Sequence, residues 1–519
     1  MAHRIAVQDK VPVDRENAAP LTNAQEAAES VAHRIAVQDM VPVDRESAAP
    51  LTNAPEAVEN AARPMIVLGL NVVNDSEFMP PSPQQTNLCE HGSRNGSLKL
   101  SPFVQEIHRG DKYIFINPNI PQWIVTDELG KLMLSLFDGE NSYQDIIDIA
   151  IEGLGEQNRD RVCTFCSSVL ASGLLDNIGP QPRMHRMELA SVHLSLSDHC
   201  NLNCTYCYAR ERVEKQYPPL SFEEYKSLID DILEINSNVV FTLTGGEPLL
   251  NKDCLRIAEY IKSKGGRTFL LSNGLLIDES NVSKIAELFE LVTLSIDGPN
   301  DSIHSLTRGH NFDSVIRATE LLGRSGVNYT LSMTVTRNNI GYVEEMAQEF
   351  GNRLNFAPYF PISGESSSLA ITGMEYYKAL KSAAGVRPLG YCESSLDNAL
   401  SSQCHKCAIG DGEFSISATG DVYPCQLVHT DEFYAGNVHD RNIKDIYFNS
   451  EQINRSAHLD VDSITGCKDC PIKYICGGSC RARAFYGCGD INSTTDFCRY
   501  EQEAFYDGII SLYSHNSLE

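Results

Sequence analysis

Positive charge is scarce in this chain. Lys and Arg together number 42 against 69 Asp and Glu, giving a formal net charge of −27. A nucleic-acid footprint needs a basic patch, so this balance argues against a nucleic-acid partner, while it is compatible with a basic peptide. Long apolar runs are missing as well. No window approaches the roughly 18 apolar residues of a membrane span, so no membrane partner is expected. The opening residues MAHRIAVQDK lack the apolar core of a signal peptide, and a cytoplasmic location is the expectation.

Cysteine, by contrast, is plentiful. There are 17 in 519 residues, an odd number gathered mostly toward one end. Disulfide-stapled secreted domains are short, whereas this chain is long enough for several domains and its 42% apolar content can build real cores. Thiols reserved for metal in a reducing compartment are the reading that fits.

The densest early group is Cys200, Cys204 and Cys207, spaced C-x3-C-x2-C within SLSDHCNLNCTYCY. Three thiolates can hold three irons of a four-iron cluster and leave the fourth open for a small molecule. A zinc knuckle or structural thiols is the plainer alternative for three cysteines alone. The alternation Val192, Leu194, Leu196 just before them reads as a strand entering a loop, the place where barrel enzymes build active sites. From Val192 onward strand and helix patterns alternate. Strands are predicted at 192–197, 239–244, 267–272, 291–296, 329–336 and 354–357, and helices at 222–235, 253–263, 281–290, 312–325 and 341–351. Such alternation gives parallel strands with helical crossovers.

The stretch CNLNCTYCYA resembles the cluster loop of the radical S-adenosylmethionine (SAM) superfamily. The resemblance implies an α/β fold with a partial (βα)6 barrel over 190–385. It also implies a [4Fe-4S] cluster whose open iron binds SAM, and cleavage of SAM to a 5′-deoxyadenosyl radical that abstracts hydrogen from substrate. An electron donor such as flavodoxin or ferredoxin is implied too. Gly245, Gly246, Glu247 and Pro248 follow an apolar strand and look like the family segment that holds the SAM amine. By the same resemblance Tyr206 stands beside adenine, and Asn273, Ser295 and Arg308 fall at SAM-contact positions. Singly, each of these four fits a structural role equally well. No catalytic residue beyond the cluster is identified.

A second cysteine pattern lies near the C-terminus. Cys407-x12-Gly420-x4-Cys425 is followed by Cys467-x2-Cys470-x5-Cys476-x3-Cys480 and then Cys498. It resembles the SPASM domain, placed at 386–519, which carries two auxiliary four-iron clusters. Carried over, Cys407, Cys425 and Cys480 hold the first, with Cys404 the choice for its fourth ligand and Cys392 the alternative. Cys467, Cys470, Cys476 and Cys498 hold the second, with Cys488 a weaker rival to Cys498. A zinc ribbon explains 467–480 but not the Gly420–Cys425 segment. Sulfatase-maturating relatives use an aspartate just after that cysteine as base, where this chain has Gln426.

Residues 101–178 carry two alternating runs around Arg109-Gly110-Asp111, a short WIVT strand, and three amphipathic helices, the first capped by Asp127. FINP, LGKLMLSLFDGE and LASGLLDN resemble a PqqD-like peptide-recognition domain, a winged-helix-like α+β unit that binds a leader peptide by strand addition. A structural wing on the barrel is the other reading. Cys163 and Cys166 in its last helix read as ordinary apolar helix residues. Residues 1–62 hold a tandem repeat, 2–30 returning as 32–60 with five changes, expected to be a disordered tail; 63–100 reads as a linker. The function expected is oxidation of a ribosomally made precursor peptide, such as thioether or carbon–carbon crosslinking. Sulfatase-maturase-like oxidation of a protein Cys or Ser and a non-catalytic iron–sulfur scaffold are the alternatives.

Overall fold

A computed structural model describes residues 96–120, 122–176, 186–207, 218–362, 368–383 and 404–516. The tandem repeat, almost all of the linker, and Cys392 lie outside the described residues.

Alternating apolar residues make β4 (Ser191–Ser195), β5 (Val240–Thr244), β6 (Arg267–Ser272), β7 (Leu291–Ser295), β8 (Tyr329–Val335) and β9 (Leu354–Pro358). They pair in parallel and in chain order, so the predicted strand–helix units form one open parallel sheet. Connecting helices cover one face. Ser221 and Glu224 form a capping box that starts the helix Phe222–Ile235, whose Tyr225, Leu228, Ile229 and Ile232 are buried at helical spacing. They pack with Val192, Leu194, Phe241 and Leu243 from the strands. The other face carries polar groups: Thr293 and Thr330, paired across β7 and β8, share a hydrogen bond at 3.0 Å.

The sheet does not stop where the barrel pattern ends. β10 (Glu413–Ile416) pairs in parallel with β4, and β11 (Asp421–Tyr423) and β12 (Gly436–Asn437) add antiparallel strands beyond it. The cysteine-rich region therefore continues the barrel sheet across the boundary placed near 386. EFSI is only four residues long, too short a pattern to register as a strand without its partner.

In the N-terminal unit β1 (Gln105–Arg109), β2 (Lys112–Asn117) and β3 (Gln122–Thr126) form an antiparallel sheet. The two-residue turn Gly110-Asp111 joins the first pair, and Gly110 takes the φ of +60° that such a turn favours. Helices Glu128–Leu134, Tyr143–Leu154 and Arg159–Ala171 follow, the first capped by Asp127 accepting from Gly130 N–H. Phe115 and Ile124 pack on these helices together with buried Cys163 and Cys166. The opposite face is also apolar. Ile114, Ile116, Trp123 and Val125 pack on Ile472, Ile475, Phe505, Tyr506 and Ile509 of the cysteine-rich region. Trp123 meets the Phe505 ring edge-on at 5.3 Å, and Arg109 pairs with Glu503 at 2.8 Å.

Trp123 is the only tryptophan in the chain, so its fluorescence reports this interface alone. Phe505→Ala should shift that emission to the red and cost about 3–5 kcal/mol in urea unfolding followed at this tryptophan. An unshifted spectrum with an unchanged midpoint would contradict the packing.

Candidate functional site

The Cys200–Cys207 loop leaves the end of β4 and is fastened to the next strand end by backbone. Gly246 N–H donates to Ser197 O at 2.6 Å and Glu247 N–H to His199 O at 2.9 Å. A Cβ on Gly245 would lie 2.4 Å from Ser197 O, and one on Gly246 would lie 2.2 Å from His199 O. Both glycines are thus demanded by close approach of two backbones. Glu247 is fully buried. Its carboxylate accepts from Leu249 N–H, Ser272 Oγ–H and Asn273 N–H at 3.2, 2.9 and 2.9 Å. Burial raises its pKa, and these three donors oppose the rise. Pro248 begins the short turn that Glu247 caps. Asn273 closes the circuit, its amide donating to Asn201 Oδ1 at 2.8 Å and to Cys200 Sγ at 3.7 Å.

On the far side of the loop a residue that sequence reading did not single out takes the central place. Asp297 is fully buried two residues after β7. One carboxylate oxygen accepts from Tyr206 Oη–H at 2.5 Å, Thr307 Oγ1–H at 2.8 Å and Arg308 Nε–H at 2.9 Å; the other accepts from Thr334 N–H at 3.0 Å. Arg308 also reaches Cys204 Sγ at 3.9 Å. Burial acts to lower the Arg308 pKa, but Asp297 more than offsets it and the guanidinium stays charged. Burial pushes the Tyr206 phenol well up. Arg308 is therefore brought to the cluster loop, where Asp297 holds it together with Tyr206 of the loop itself. Ser295 stands half-buried at the end of β7 opposite Ser332. The signal for Asp297 was present in the sequence: an acidic residue just past an apolar strand, eleven before Arg308.

The C-terminal cysteines fall into two groups. Cys407, Cys425 and Cys480 share an apolar cluster with Ile409, Val428, Phe433 and Leu459. Cys467 and Cys476 each lie within electrostatic reach of Cys470 and Cys498. Exposed Cys488 instead bonds Thr494 O at 3.3 Å. Cys404, expected with the first group, is placed against Gly477 and Cys476, where a Cβ on Gly477 would lie 2.4 Å from its sulfur.

These residues fit iron–sulfur clusters. Cys200, Cys207, Cys407, Cys425, Cys467, Cys470, Cys480 and Cys498 form no disulfide. Several sulfurs accept from nitrogen donors: Leu202 N–H on Cys200 at 3.4 Å, Leu427 N–H on Cys425 at 3.5 Å and Gln502 Nε2–H on Cys470 at 3.4 Å. Such donors stabilise cluster thiolates and tune their potential. Burial pushes the Cys407 and Cys467 thiols up to about 12, so they ionise only when metal takes the proton's place. Among the described residues no three His, Cys, Asp or Glu groups converge as ligands of one ion. Ligands of a cluster are divided among its irons. Burial also lowers His193, on β4, to about 4 and keeps it neutral.

Asp297→Asn keeps the shape but leaves the Arg308 charge buried without its counterion. It should cost about 3–5 kcal/mol in chemical denaturation. Tyr206→Phe, losing one hydrogen bond to a charged acceptor, should cost about 1.5–3 kcal/mol. The reverse order would show that Asp297 is not the anchor.

Comparison with known proteins agrees with this geometry. The profile of the Radical SAM superfamily matches residues 194–350, and that of the SPASM iron-sulfur cluster-binding domain matches 404–471. The AdoMet-dependent heme synthase of Oleidesulfovibrio alaskensis is 28% identical over 337 residues, covering 58% of this chain and 85% of that protein. A cysteine-type anaerobic sulfatase-maturating enzyme of Clostridium perfringens is 28% identical over 323 residues, covering 55% and 86%. The structure of anSMEcpe with bound AdoMet and Kp18Cys peptide superposes with a TM-score of 0.55 at 25% identity, covering 63% of this chain and 99% of that one. The chain thus carries a radical SAM domain and a SPASM domain, and it is a radical SAM enzyme that uses SAM, a four-iron cluster and auxiliary iron–sulfur clusters.

Proposed function

We propose that this enzyme modifies a ribosomally made peptide, with one SAM-binding cluster and two auxiliary clusters. The observation that carries the reading is the N-terminal sheet docked on the cysteine-rich region. Its three strands precede three helices, the order expected of a PqqD-like, winged-helix-like recognition unit. Among the described residues β1 pairs only with β2, which leaves its outer edge for a leader strand. A docked leader makes delivery of the core peptide effectively intramolecular, at local concentrations on the order of millimolar. The bound peptide in the anSMEcpe structure is support from a related fold.

In this proposal Cys200, Cys204 and Cys207 hold the SAM cluster. The bound group supplies reductive SAM cleavage to a radical that removes hydrogen from an unactivated carbon. Asn273 and Arg308, at the sulfurs of Cys200 and Cys204, stabilise their negative charge, and Glu247 fixes the strand ends against which SAM lies. The half-buried hydroxyls of Ser295, Thr293 and Thr330 offer a polar wall for SAM and substrate. Flavodoxin or ferredoxin is the electron donor proposed, and a cytoplasmic location is part of the same reading. No helix among the described residues is long and apolar enough to cross a membrane.

Gln426, which cannot act as a base, disfavours sulfatase-type chemistry at the position where related maturases carry an aspartate. The likeness to heme synthases supports a second reading, a heme-forming enzyme, over the part of the chain they match.

Two measurements test these assignments. Changing Cys200, Cys204 and Cys207 together to Ala should abolish SAM cleavage and lower iron from about twelve to about eight per chain; retained cleavage would remove the cluster assignment. Mass spectrometry of a neighbouring precursor peptide co-expressed with the enzyme should show loss of hydrogen mass located to one bond. An unmodified peptide together with heme formation by the purified enzyme would select the second reading.

A further inference from the structure

On the inner face of the sheet a buried imidazole stands without a hydrogen bond to the described chain. Val192 and Leu194 of β4 pack under the helices with Phe241, Leu243, Phe414 and Ile416 of the flanking strands. Strand alternation turns His193, Thr242 and Ser415 to the opposite face, where they are register partners across β10, β4 and β5. His193 is 9% exposed, and its Nδ1 has no hydrogen-bond partner among the described residues. Its Nε2 lies 3.9 Å from Glu413 Oε2, beyond hydrogen-bond length. Burial keeps the ring neutral. The outer face of β4 is fully buried at Val192 and Leu194, so the small open part of the ring faces the interior.

His193 is also tied to both thiol-bearing loops. Ser195 ends β4 two residues further on, and the Cys200–Cys207 loop follows. On the other side Ser415 Oγ–H donates to His193 O at 3.4 Å and shares a hydrogen bond of 2.9 Å with His429 Nε2. His429 lies four residues after Cys425, and its ring stacks on Tyr423 at 4.2 Å. A substrate placed between the SAM loop and the first auxiliary thiols lies against this part of the sheet.

We propose that His193 is a substrate-contacting residue, its imidazole hydrogen-bonded to an amide group of the core peptide inside the barrel. The inference rests on the peptide reading given above. A buried polar group left unsatisfied destabilises the free protein, and in a native structure it calls for an explanation. The bound peptide supplies the missing partner. A neutral imidazole has one donor and one acceptor nitrogen, and an amide offers a C=O and an N–H to match them. The bond fixes which carbon of the peptide faces the radical.

The test uses the full chain with its clusters loaded and the neighbouring precursor peptide as substrate. His193→Leu removes both ring nitrogens and keeps an apolar side chain in their place. It should lower kcat/KM for peptide modification by about 10- to 100-fold. The yield of modified peptide per 5′-deoxyadenosine formed should fall with it. Without peptide, the same variant should unfold in urea at the midpoint of the parent chain or above it, because the nitrogens it deletes have no partner in the free protein. It should keep about twelve irons per chain. His193→Asn, which sets an amide near the place of Nδ1, or His193→Gln, which sets one near Nε2, should recover most of the modification. Undiminished modification by His193→Leu, a lowered midpoint or iron content in that variant, or failure of both amide variants overturns the proposal. A parent chain that leaves the peptide unmodified refutes the peptide reading, and the proposal falls with it. Modification by the parent that His193→Leu leaves intact refutes the proposal alone.

Discussion

Two carbonyl groups, those of Ser197 and His199, determine much of this molecule. They accept from the N–H groups of Gly246 and Glu247, and the contact leaves no room for a Cβ on Gly245 or Gly246. A side chain there would push apart the ends of β4 and β5. Because the contact is backbone to backbone, it fixes the cysteine loop whatever its side chains bind. Glu247 then carries the constraint to the end of β6 through Ser272 and Asn273, and Asn273 returns to Asn201 and Cys200. Three successive strand ends are joined through one buried carboxylate, which must be fully hydrogen-bonded to remain there.

A second buried acid does the same on the other flank. Asp297 would be costly without partners, and it has hydrogen bonds from Tyr206, Thr307, Arg308 and the Thr334 backbone. The pair it makes with Arg308 is buried, so its value lies less in net stability than in fixing one arrangement. That arrangement sets a guanidinium beside Cys204, where it stabilises a thiolate. Both acids thus work through a partner that touches the cysteine loop.

The cysteine-rich region is bound to the barrel by sheet hydrogen bonds and to the N-terminal unit by apolar packing. β10 continues the parallel sheet at β4, which fixes the position of Cys407 and Cys425 relative to the cluster loop. The second face of the β1–β3 sheet lies on Phe505 and Ile509, with Cys470 and Cys476 at its margin. In the reading proposed for this enzyme, a leader on the β1 sheet is held by the same body that carries the auxiliary thiols, so the recognition unit and the redox groups move together.

The strands β4 to β9 were legible because each is a local apolar run followed by an amphipathic helix, and both periods are written in a dozen residues. The hairpin at Gly110 and the cap at Asp127 were legible for the same reason. Cysteine spacing located both metal regions, since chelation by nearby residues leaves a short-range pattern. What the sequence could not show was set by contacts between distant segments. The pairing of β10 with β4 joins residues over 200 positions apart. The docking face of Trp123 alternates as any strand does, and only its partner Phe505 shows which region it meets. The same holds for a buried acid. Asp297 looks like an ordinary charged residue just past a strand end, and tertiary packing alone buries it under Tyr206 and Arg308. Local periodicity determined the elements. Burial of charge, which depends on everything around a residue, was decided only when the chain closed on itself.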